Sequence, residues 1–376
     1  ESLLRRLTLS LIGRLPTPAE RKAVQGEGLA GLNGILEKLM TEDAFYGRLK
    51  EGFNDIFLTD GYDGNGELIL SYNHFEKTRL WYQKHDFSHI KEKRARQEAL
   101  WEMARVYRKA IRSEPLELIA HVVRNNRPFT EIMTADYMMV SPYSARGYGI
   151  FDQVKDRFKD PENPFEYVPA KLPALKNRQG KTQESKTGVY PHAGLFSMFH
   201  YLRRYPTTET NRNRLRARMY YQHFLGINIM ELADQVADAA AIDVKYETPW
   251  MEAADCVVCH RTIDPVAGLF QDFYNEEGHY GPRKEGWFKD MFVPGLEGED
   301  LPKGDKWRSL QWLAERTAKD PRFAVAMTEH VWYIMSGRMA LRPPQDIEDP
   351  LFTPRRRAYK MQRHEIAEVS KLFAQA

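Results

Sequence analysis

The stretch Cys256-Val257-Val258-Cys259-His260 decides how this chain is organised. Two cysteines separated by two residues and followed directly by a histidine form the pattern by which a c-type haem is attached. On a helix, Cys256, Cys259 and His260 lie at positions i, i+3 and i+4, which share one face. Both thiols can then react with the vinyl groups of one porphyrin, and the imidazole can bind its iron as an axial ligand. The sequence therefore predicts one covalent haem c.

The residues around the motif predict that it lies on a helix. Thr248 suits the N-cap position, and Pro249 suits the first helical position after it. Asp264-Pro265 is expected to end the helix, because a proline disfavours the helical conformation of the residue before it.

Two other interpretations of the motif are weaker. The chain has only two cysteines, and both belong to the motif. A redox dithiol usually opens a helix beside a βαβ unit, and the sequence shows no such unit. A four-ligand zinc site needs two further ligands, and no other cysteine can supply one.

Composition limits the class of protein. The 376 residues are 42% hydrophobic and 28% charged, as in soluble globular proteins, and their number suggests two or three domains. The formal net charge of +3 does not indicate a nucleic-acid-binding protein. No stretch approaches the roughly 18 apolar residues of a membrane span, so we expect no transmembrane segment in this chain.

The expected cofactor indicates the compartment. Haem is attached covalently outside the cytoplasm, so we expect the protein in the periplasm or at the extracytoplasmic face of the membrane. The cysteines would form thioethers rather than a disulfide, so their small number does not argue for the cytosol. The sequence begins at Glu1 without Met, which is consistent with a removed signal or anchor.

The apolar periodicity predicts a mainly α fold. The clearest amphipathic helix covers 91–112, and Ser113-Glu114-Pro115 predicts the start of a further helix that runs to about Arg124. Thr17-Pro18-Ala19-Glu20 is a capping box at an earlier helix start. Residues 155–188 contain four prolines and many charges, which predict an irregular excursion. Other helices are expected near 3–12, 32–40, 43–57, 309–318, 321–337 and 356–373.

Several stretches carry a family resemblance. Leu4-Arg5-Arg6-Leu7-Thr8-Leu9, with Gly13-Arg14-Leu15-Pro16-Thr17-Pro18 after it, resembles a domain of unknown function, DUF1549. Phe129-Thr130-Glu131-Ile132-Met133-Thr134-Ala135-Asp136-Tyr137, with Ser144-Ala145-Arg146-Gly147-Tyr148-Gly149, resembles DUF1592. The stretch from Cys256 to Phe270 resembles DUF1588, which bears the haem. All three domains occur in planctomycete-type cytochrome c-like proteins.

This resemblance implies a helical scaffold followed by a small cytochrome c-like domain. It divides the chain into a helical N-terminal domain at 1–128, a helical central domain at 129–245, and the haem domain at 246–376. The central domain includes the excursion at 155–188. Residues 189–225 precede the motif but resemble the start of the haem-bearing region, so we expect them to pack against the haem domain.

An arginine-rich run follows in Asn211-Arg212-Asn213-Arg214-Leu215-Arg216-Ala217-Arg218. Its simplest interpretation is the solvated face of a helix. The alternative is that one of these arginines pairs with a haem propionate or with an acidic partner.

His260 supplies one axial ligand, and a c-type haem that transfers electrons normally has a second. Met291 is the first candidate, because it lies on the loop between the haem helix and the C-terminal helices. The alternatives are His279 in the same loop, His192 from the preceding domain, or an open sixth position. Core packing or internal hydrogen bonding is the expected role of Met327, Met335, Met339, His200, His223 and His330.

The function that these observations predict is electron transfer by an extracytoplasmic mono-haem c-type cytochrome. One haem cannot form a chain of redox centres, so we expect a redox protein partner or a membrane-associated respiratory or photosynthetic complex. Two alternatives stay open. One is a peroxidase-like haem enzyme with an open sixth coordination site, and the other is a structural or carbohydrate-surface module stabilised by haem.

Overall fold

The computed structural model describes residues 2–60, 70, 74–176, 180–233, 251, 254–273 and 290–375. The described part is mainly helical, as the sequence predicts. Its α-helices are α1 (Ser2–Ile12), α2 (Pro18–Glu27), α3 (Leu29–Leu39), α4 (Asp43–Phe57), α5 (Lys93–Arg124), α6 (Glu131–Thr134), α7 (Pro142–Tyr148), α8 (Phe151–Val154), α9 (Gly194–Ser197), α10 (Phe199–Arg204), α11 (Arg214–Phe224), α12 (Met230–Ala233), α13 (Ala254–Leu269), α14 (Ser309–Thr317), α15 (Pro321–Ser336) and α16 (Phe352–Gln375). Short 3-10 helices cover Trp81–Lys84, Lys155–Arg157 and Lys303–Arg308.

Two short antiparallel strand pairs accompany these helices in the described residues. β1 (Met138–Val140) pairs with β2 (Val168–Ala170), and β3 (Gly295–Leu296) pairs with β4 (Glu299–Asp300). β2 belongs to the predicted excursion at 155–188, which is otherwise mostly irregular in its described residues. The excursion nevertheless packs back onto the molecule, because Phe158, Leu172 and Leu175 are buried in the main core.

The capping box at the start of α2 is confirmed. The Thr17 hydroxyl accepts from the Glu20 backbone N–H at 3.2 Å, and the Glu20 carboxylate accepts from the Thr17 backbone N–H at 2.7 Å. Arg14 also donates two hydrogen bonds to Glu20. The bond from Arg14 is the main reason that the pKa of Glu20 falls to about 2.

The predicted break at Ser113-Glu114-Pro115 is wrong. α5 runs unbroken from Lys93 to Arg124 with Pro115 inside it. A proline inside a helix leaves the carbonyl four residues earlier without its usual N–H donor. In α5 that carbonyl belongs to Ile111, whereas the Tyr167 hydroxyl donates to the neighbouring Ala110 carbonyl at 2.8 Å. Residues on both sides of Pro115, including Ile111 and Leu118, are buried in the main core, so tertiary packing keeps the helix intact.

One continuous core joins all three predicted regions of the chain. It contains Phe57 from α4, Ile119 from α5, Phe196 from α9, Val266 from α13 and Met327 from α15. A second, small core lies between α1 and α3, and its buried residues are Leu4, Ile12, Leu32, Ile35 and Leu39. The expected boundary between residues 245 and 246 lies outside the described residues.

The expectation that residues 189–225 pack against the motif region is confirmed for α11. α11 lies along α13, and α12 also contacts α13. Tyr221 of α11 is buried and donates to the Thr262 carbonyl of α13 at 3.3 Å. Among the helices that the structure describes, none is both long and apolar enough to cross a membrane.

A buried carboxyl group lies where α5 meets α7. Glu114 is almost fully buried, and its Oε2 accepts from the Tyr148 hydroxyl at 2.6 Å. Burial raises the pKa of Glu114 to about 8, although the bond from Tyr148 acts in the opposite direction. Close packing surrounds this pair, because a Cβ at Gly147 would lie 1.9 Å from the Tyr107 hydroxyl.

Glu114 should make the stability of the protein fall as pH rises. Its pKa is about 8 in the folded state and near 4.5 in the unfolded chain, so the folded state holds one more proton between these values. We expect the wild type to lose stability relative to Glu114→Gln from about pH 4.5 to pH 8. Urea unfolding midpoints of both proteins, measured across this range, test the expectation.

The control for this experiment is Tyr148→Phe, which keeps the carboxyl group and removes its hydrogen-bond donor. This variant should keep the pH trend of the wild type. Parallel stability curves for the wild type and Glu114→Gln would show that Glu114 carries no such proton.

A fragment that starts near Tyr246 should be unstable. It would lack α11 and α12, so the face of α13 that buries Val266 and Ala267 would be exposed to water. We expect such a fragment to aggregate or to bind a hydrophobic dye, as judged by gel filtration and dye fluorescence. A monomeric fragment with a cooperative unfolding transition would contradict this expectation.

Candidate haem site

Cys256, Cys259 and His260 lie on α13, within one turn of each other. Both cysteines are free thiols with half-buried side chains. Burial is the main cause that raises the pKa of the Cys259 thiol, with a smaller contribution from Cys256. The structure therefore brings the three predicted attachment residues together on one helix.

The predicted helix end at Asp264-Pro265 is wrong. α13 continues through Pro265 to Leu269. The local rule fails as it does at Pro115, because residues on both sides of the proline, Ile263 and Val266, are buried in the main core and packing keeps the helix intact. The Tyr221 hydroxyl also ties α11 to this part of α13 by donating to the Thr262 carbonyl. The extra turn places Asp264 one turn after His260 on the same helix face.

The His260 ring is held by a carboxylate. Its Nδ1 lies 3.1 Å from Asp264 Oδ1, and the Asp264 side chain is fully buried. Burial by itself raises the pKa of Asp264, but hydrogen bonds from His260 and Arg214 outweigh burial, and the pKa lies below its ordinary value. Asp264 is therefore an anion that accepts a hydrogen bond from Nδ1–H. The lone pair of His260 Nε2 is then free to bind a metal.

Arg214 supplies the positive charge that the buried carboxylate requires. Its Nε lies 2.7 Å from Asp264 Oδ1, and a terminal guanidinium nitrogen lies 3.2 Å from Oδ2. This is a bidentate ion pair, in which both carboxylate oxygens accept hydrogen bonds from the guanidinium. Oδ1 accepts from both Arg214 and His260, so the three side chains form one connected group.

The expectation that the arginine-rich run is a solvated face is wrong for Arg212, Arg214 and Arg216. Arg212 forms an ion pair with Asp290, and the Asn213 side chain donates to the Phe270 carbonyl at 2.9 Å. Arg216 is also buried and donates to the Leu202 and Tyr205 carbonyls. Burial lowers the pKa of Arg216 to about 9. The run fastens α11 to the rest of the molecule instead of facing water.

Met291 is buried in the main core, with 3% of its surface exposed. Its segment lies along α13, because Arg261 stacks over the Phe292 ring at 5.9 Å and Pro294 packs against Gly268. A Cβ at Gly268 would lie 2.7 Å from Pro294, so this close approach needs glycine. The residues that follow His260 and Met291 are thus in contact with each other.

The other candidate distal ligands are His192 and His279. His192 is buried, its Nε2 accepts from the Leu172 backbone N–H at 3.0 Å, and burial lowers its pKa to about 3. That nitrogen is therefore already used within the protein. His279 lies outside the described residues.

The remaining histidines and methionines mostly behave as expected. Met327 is fully buried in α15, whereas the expectation of a core role for Met339 is wrong, because it is 76% exposed. One ring nitrogen of each of His200, His223 and His330 forms an internal hydrogen bond, and the partners are the Thr59 carbonyl, the Tyr201 hydroxyl and the His223 carbonyl.

The donor set fits a covalently attached haem. Two free thiols can form thioethers, and His260 has a fixed ring with Nε2 available. In the ranges that the structure describes, no group of three or more His, Cys, Asp or Glu side chains is arranged to hold a metal ion.

Sequence reasoning missed Asp264 as a functional residue and Arg214 as its partner. The spacing His260-x-x-x-Asp264 was the available signal, because residues at i and i+4 face each other on a helix. The expected helix end at Asp264-Pro265 concealed it. Arg214 carries no comparable signal, since its partner lies fifty residues away in the chain.

Comparison with known proteins identifies one part of the chain. Residues 73–150 match the family model described as Protein of unknown function (DUF1592). The match includes α5, β1 and α7, and it overlaps the expected central domain at 129–150. No curated protein sequence and no solved structure matches the chain. The chain therefore contains a DUF1592-type region, which lies before the Cys256–His260 motif.

Proposed function

We propose that this chain is an extracytoplasmic mono-haem c-type cytochrome that transfers electrons as a subunit or partner of a larger redox complex. One observation carries the proposal. Cys256 and Cys259 are free thiols on the same helix as His260, and the His260 ring is oriented by Asp264. From a single helix, Cys256 and Cys259 could form both thioethers, and His260 could supply one ligand nitrogen.

Four residues would hold the haem, directly or through another residue. Cys256 and Cys259 would bind the porphyrin covalently, and His260 would bind the iron through Nε2. A bound haem supplies one-electron oxidation and reduction of its iron. Asp264 holds the Nδ1 proton and fixes the ring orientation, as second partners of metal-bound histidines commonly do.

The packing around α13 supports electron transfer in a further way. Tyr221 and Arg214 of α11 fasten α13 on one side, and the segment around Pro294 packs against it near Gly268. A ligand set on rigid, well-supported elements keeps its geometry better than one on a loop. The helical scaffold would therefore hold the haem at a fixed place relative to a redox partner.

Met291 is the distal ligand in this proposal. Its side chain is buried, and Phe292 next to it lies under Arg261 next to His260. A methionine ligand raises the haem potential relative to a second histidine. Asp290, on the other side of Met291, is held by Arg212, so the backbone near the ligand is fixed from the same stretch that holds Asp264.

The first test is covalent haem retention. The full chain, expressed with a c-type haem attachment system in the periplasm, should stain for haem on a denaturing gel and gain the mass of one haem. Cys256→Ala combined with Cys259→Ala should abolish both signals, because no thiol is left to form a thioether. The matched control is Val257→Ala with Val258→Ala, which alters the intervening residues and should keep the haem.

Extraction of all haem by acidified acetone would contradict the proposal. So would an intact mass equal to that of the bare polypeptide.

The second test concerns Met291. Methionine ligation gives ferric haem c a weak long-wavelength charge-transfer band, which we expect in the wild type. Met291→Ala should abolish this band and lower the midpoint potential, because a weaker or different ligand replaces the thioether. Met327→Ala is the matched control, since it also removes a buried methionine, at a stability cost of about 2–5 kcal/mol, but should keep the band.

The ferric spectrum of the wild type also decides between the alternatives. A low-spin spectrum without the band would indicate a histidine ligand, and His279→Ala would be examined first and His192→Ala second. A high-spin spectrum that becomes low-spin on addition of cyanide would show an open sixth position, which would favour a haem enzyme over an electron carrier.

A further inference from the structure

We infer that Asp264 and Arg214 act in opposite directions on His260 and together set the potential of the haem. This inference rests on the proposed function, and it assigns both side chains as positioning residues that act through the proximal ligand. The carboxylate strengthens electron donation by the imidazole, and the guanidinium limits that effect.

The role of Asp264 follows from its geometry. A carboxylate that accepts a hydrogen bond from Nδ1–H increases the basicity of the imidazole, and a more basic ligand stabilises ferric iron more than ferrous iron. His260 Nδ1 lies 3.1 Å from Asp264 Oδ1, within hydrogen-bond distance, and the Asp264 side chain is fully shielded from water. Electrostatic interactions are stronger where water is excluded. Asp264 therefore lowers the potential.

Arg214 opposes this effect at the same atom. Its Nε lies 2.7 Å from Asp264 Oδ1, which is the oxygen that also accepts from His260. The guanidinium withdraws part of the negative charge that the carboxylate would otherwise direct at the imidazole. Without Arg214, the charge on Asp264 would act on His260 unopposed, and the potential would fall further.

The backbone next to Arg214 is built to hold it in place. Arg212 and Asn213 are consecutive non-glycine residues in the left-handed region, with φ of 50° and 66°. Such conformations cost free energy and persist only where other contacts enforce them. Here the Asn213 N–H donates to the Thr207 hydroxyl at 2.6 Å, and the Asn213 side chain bonds to both Phe270 and Arg216.

The experiment measures midpoint potentials of the full chain with haem attached. Asp264→Asn should raise the potential, by about tenfold in the reduction equilibrium constant or about 59 mV for one electron. Arg214→Gln should lower it. Arg214→Lys keeps the positive charge but loses the bidentate ion pair with Asp264. The midpoint potential of this variant should therefore lie between those of Arg214→Gln and the wild type.

Asp320→Asn is the matched control for loss of a carboxylate. Asp320 caps α15 and pairs with Arg322, and neither residue contacts His260. An asparagine can still cap the helix, so this variant should leave the potential unchanged. A second measurement, the ¹⁵N chemical shift of His260 Nδ1 in the ferrous protein, should move in Asp264→Asn and not in Asp320→Asn.

The outcomes separate this inference from the proposed function. Covalent haem with potentials that move in opposite directions for Asp264→Asn and Arg214→Gln would support it. Covalent haem with equal potentials in all variants, or with both variants shifted the same way, would overturn the inference and leave the proposed function standing. If Asp264→Asn does not fold, the midpoint potentials of the Arg214 variants decide. Potentials that rise from Arg214→Gln through Arg214→Lys to the wild type would support the inference, and any other order would overturn it. A wild-type chain without covalent haem would overturn both.

Discussion

The buried charge of Asp264 is the constraint on which the candidate site depends. A carboxylate removed from water is strongly unfavourable unless cations or hydrogen-bond donors surround it. Asp264 meets this requirement with Arg214 from α11 and His260 from its own helix. Because these two donors come from different helices, α11 and α13 cannot separate without leaving an unpaired charge in the core. The orientation of His260 is thus linked to the packing of the whole region.

The same stretch of chain reaches a second part of the site. Arg212 pairs with Asp290 beside Met291, while Asn213 bonds to the carbonyl of Phe270 just after α13. Arg212, Asn213 and Arg214 therefore hold α13, its C-terminal end, and the segment that carries Met291, the proposed distal ligand. The left-handed backbone at Arg212 and Asn213 turns successive side chains towards these separate targets. Any movement of this turn would disturb contacts both at the end of α13 and beside Met291.

The DUF1592-type region and the motif region are connected through the core. Ile119 and Met139 of the first belong to the same buried cluster as Val266 and Trp312 of the second. The matched region also has its own buried polar pair, Glu114 with Tyr148, which marks the place where α5 meets α7. The helical scaffold is therefore part of the packing that supports α13, and its role in the proposed carrier is to fix the site in space.

The sequence by itself determined the features that depend on neighbouring residues. These are the capping box at Thr17, the mainly helical fold, and the placement of Cys256, Cys259 and His260 on one helix. It misplaced two helix ends, at Pro115 and at Pro265, because residues on both sides of each proline are packed into the core by parts of the chain far away in sequence. Only the tertiary structure could show that Asp264 is fully buried, that Arg214 neutralises it, and that Met291 lies in the core. Those facts depend on contacts between residues far apart in sequence, which the spacing of residues along a chain does not reveal.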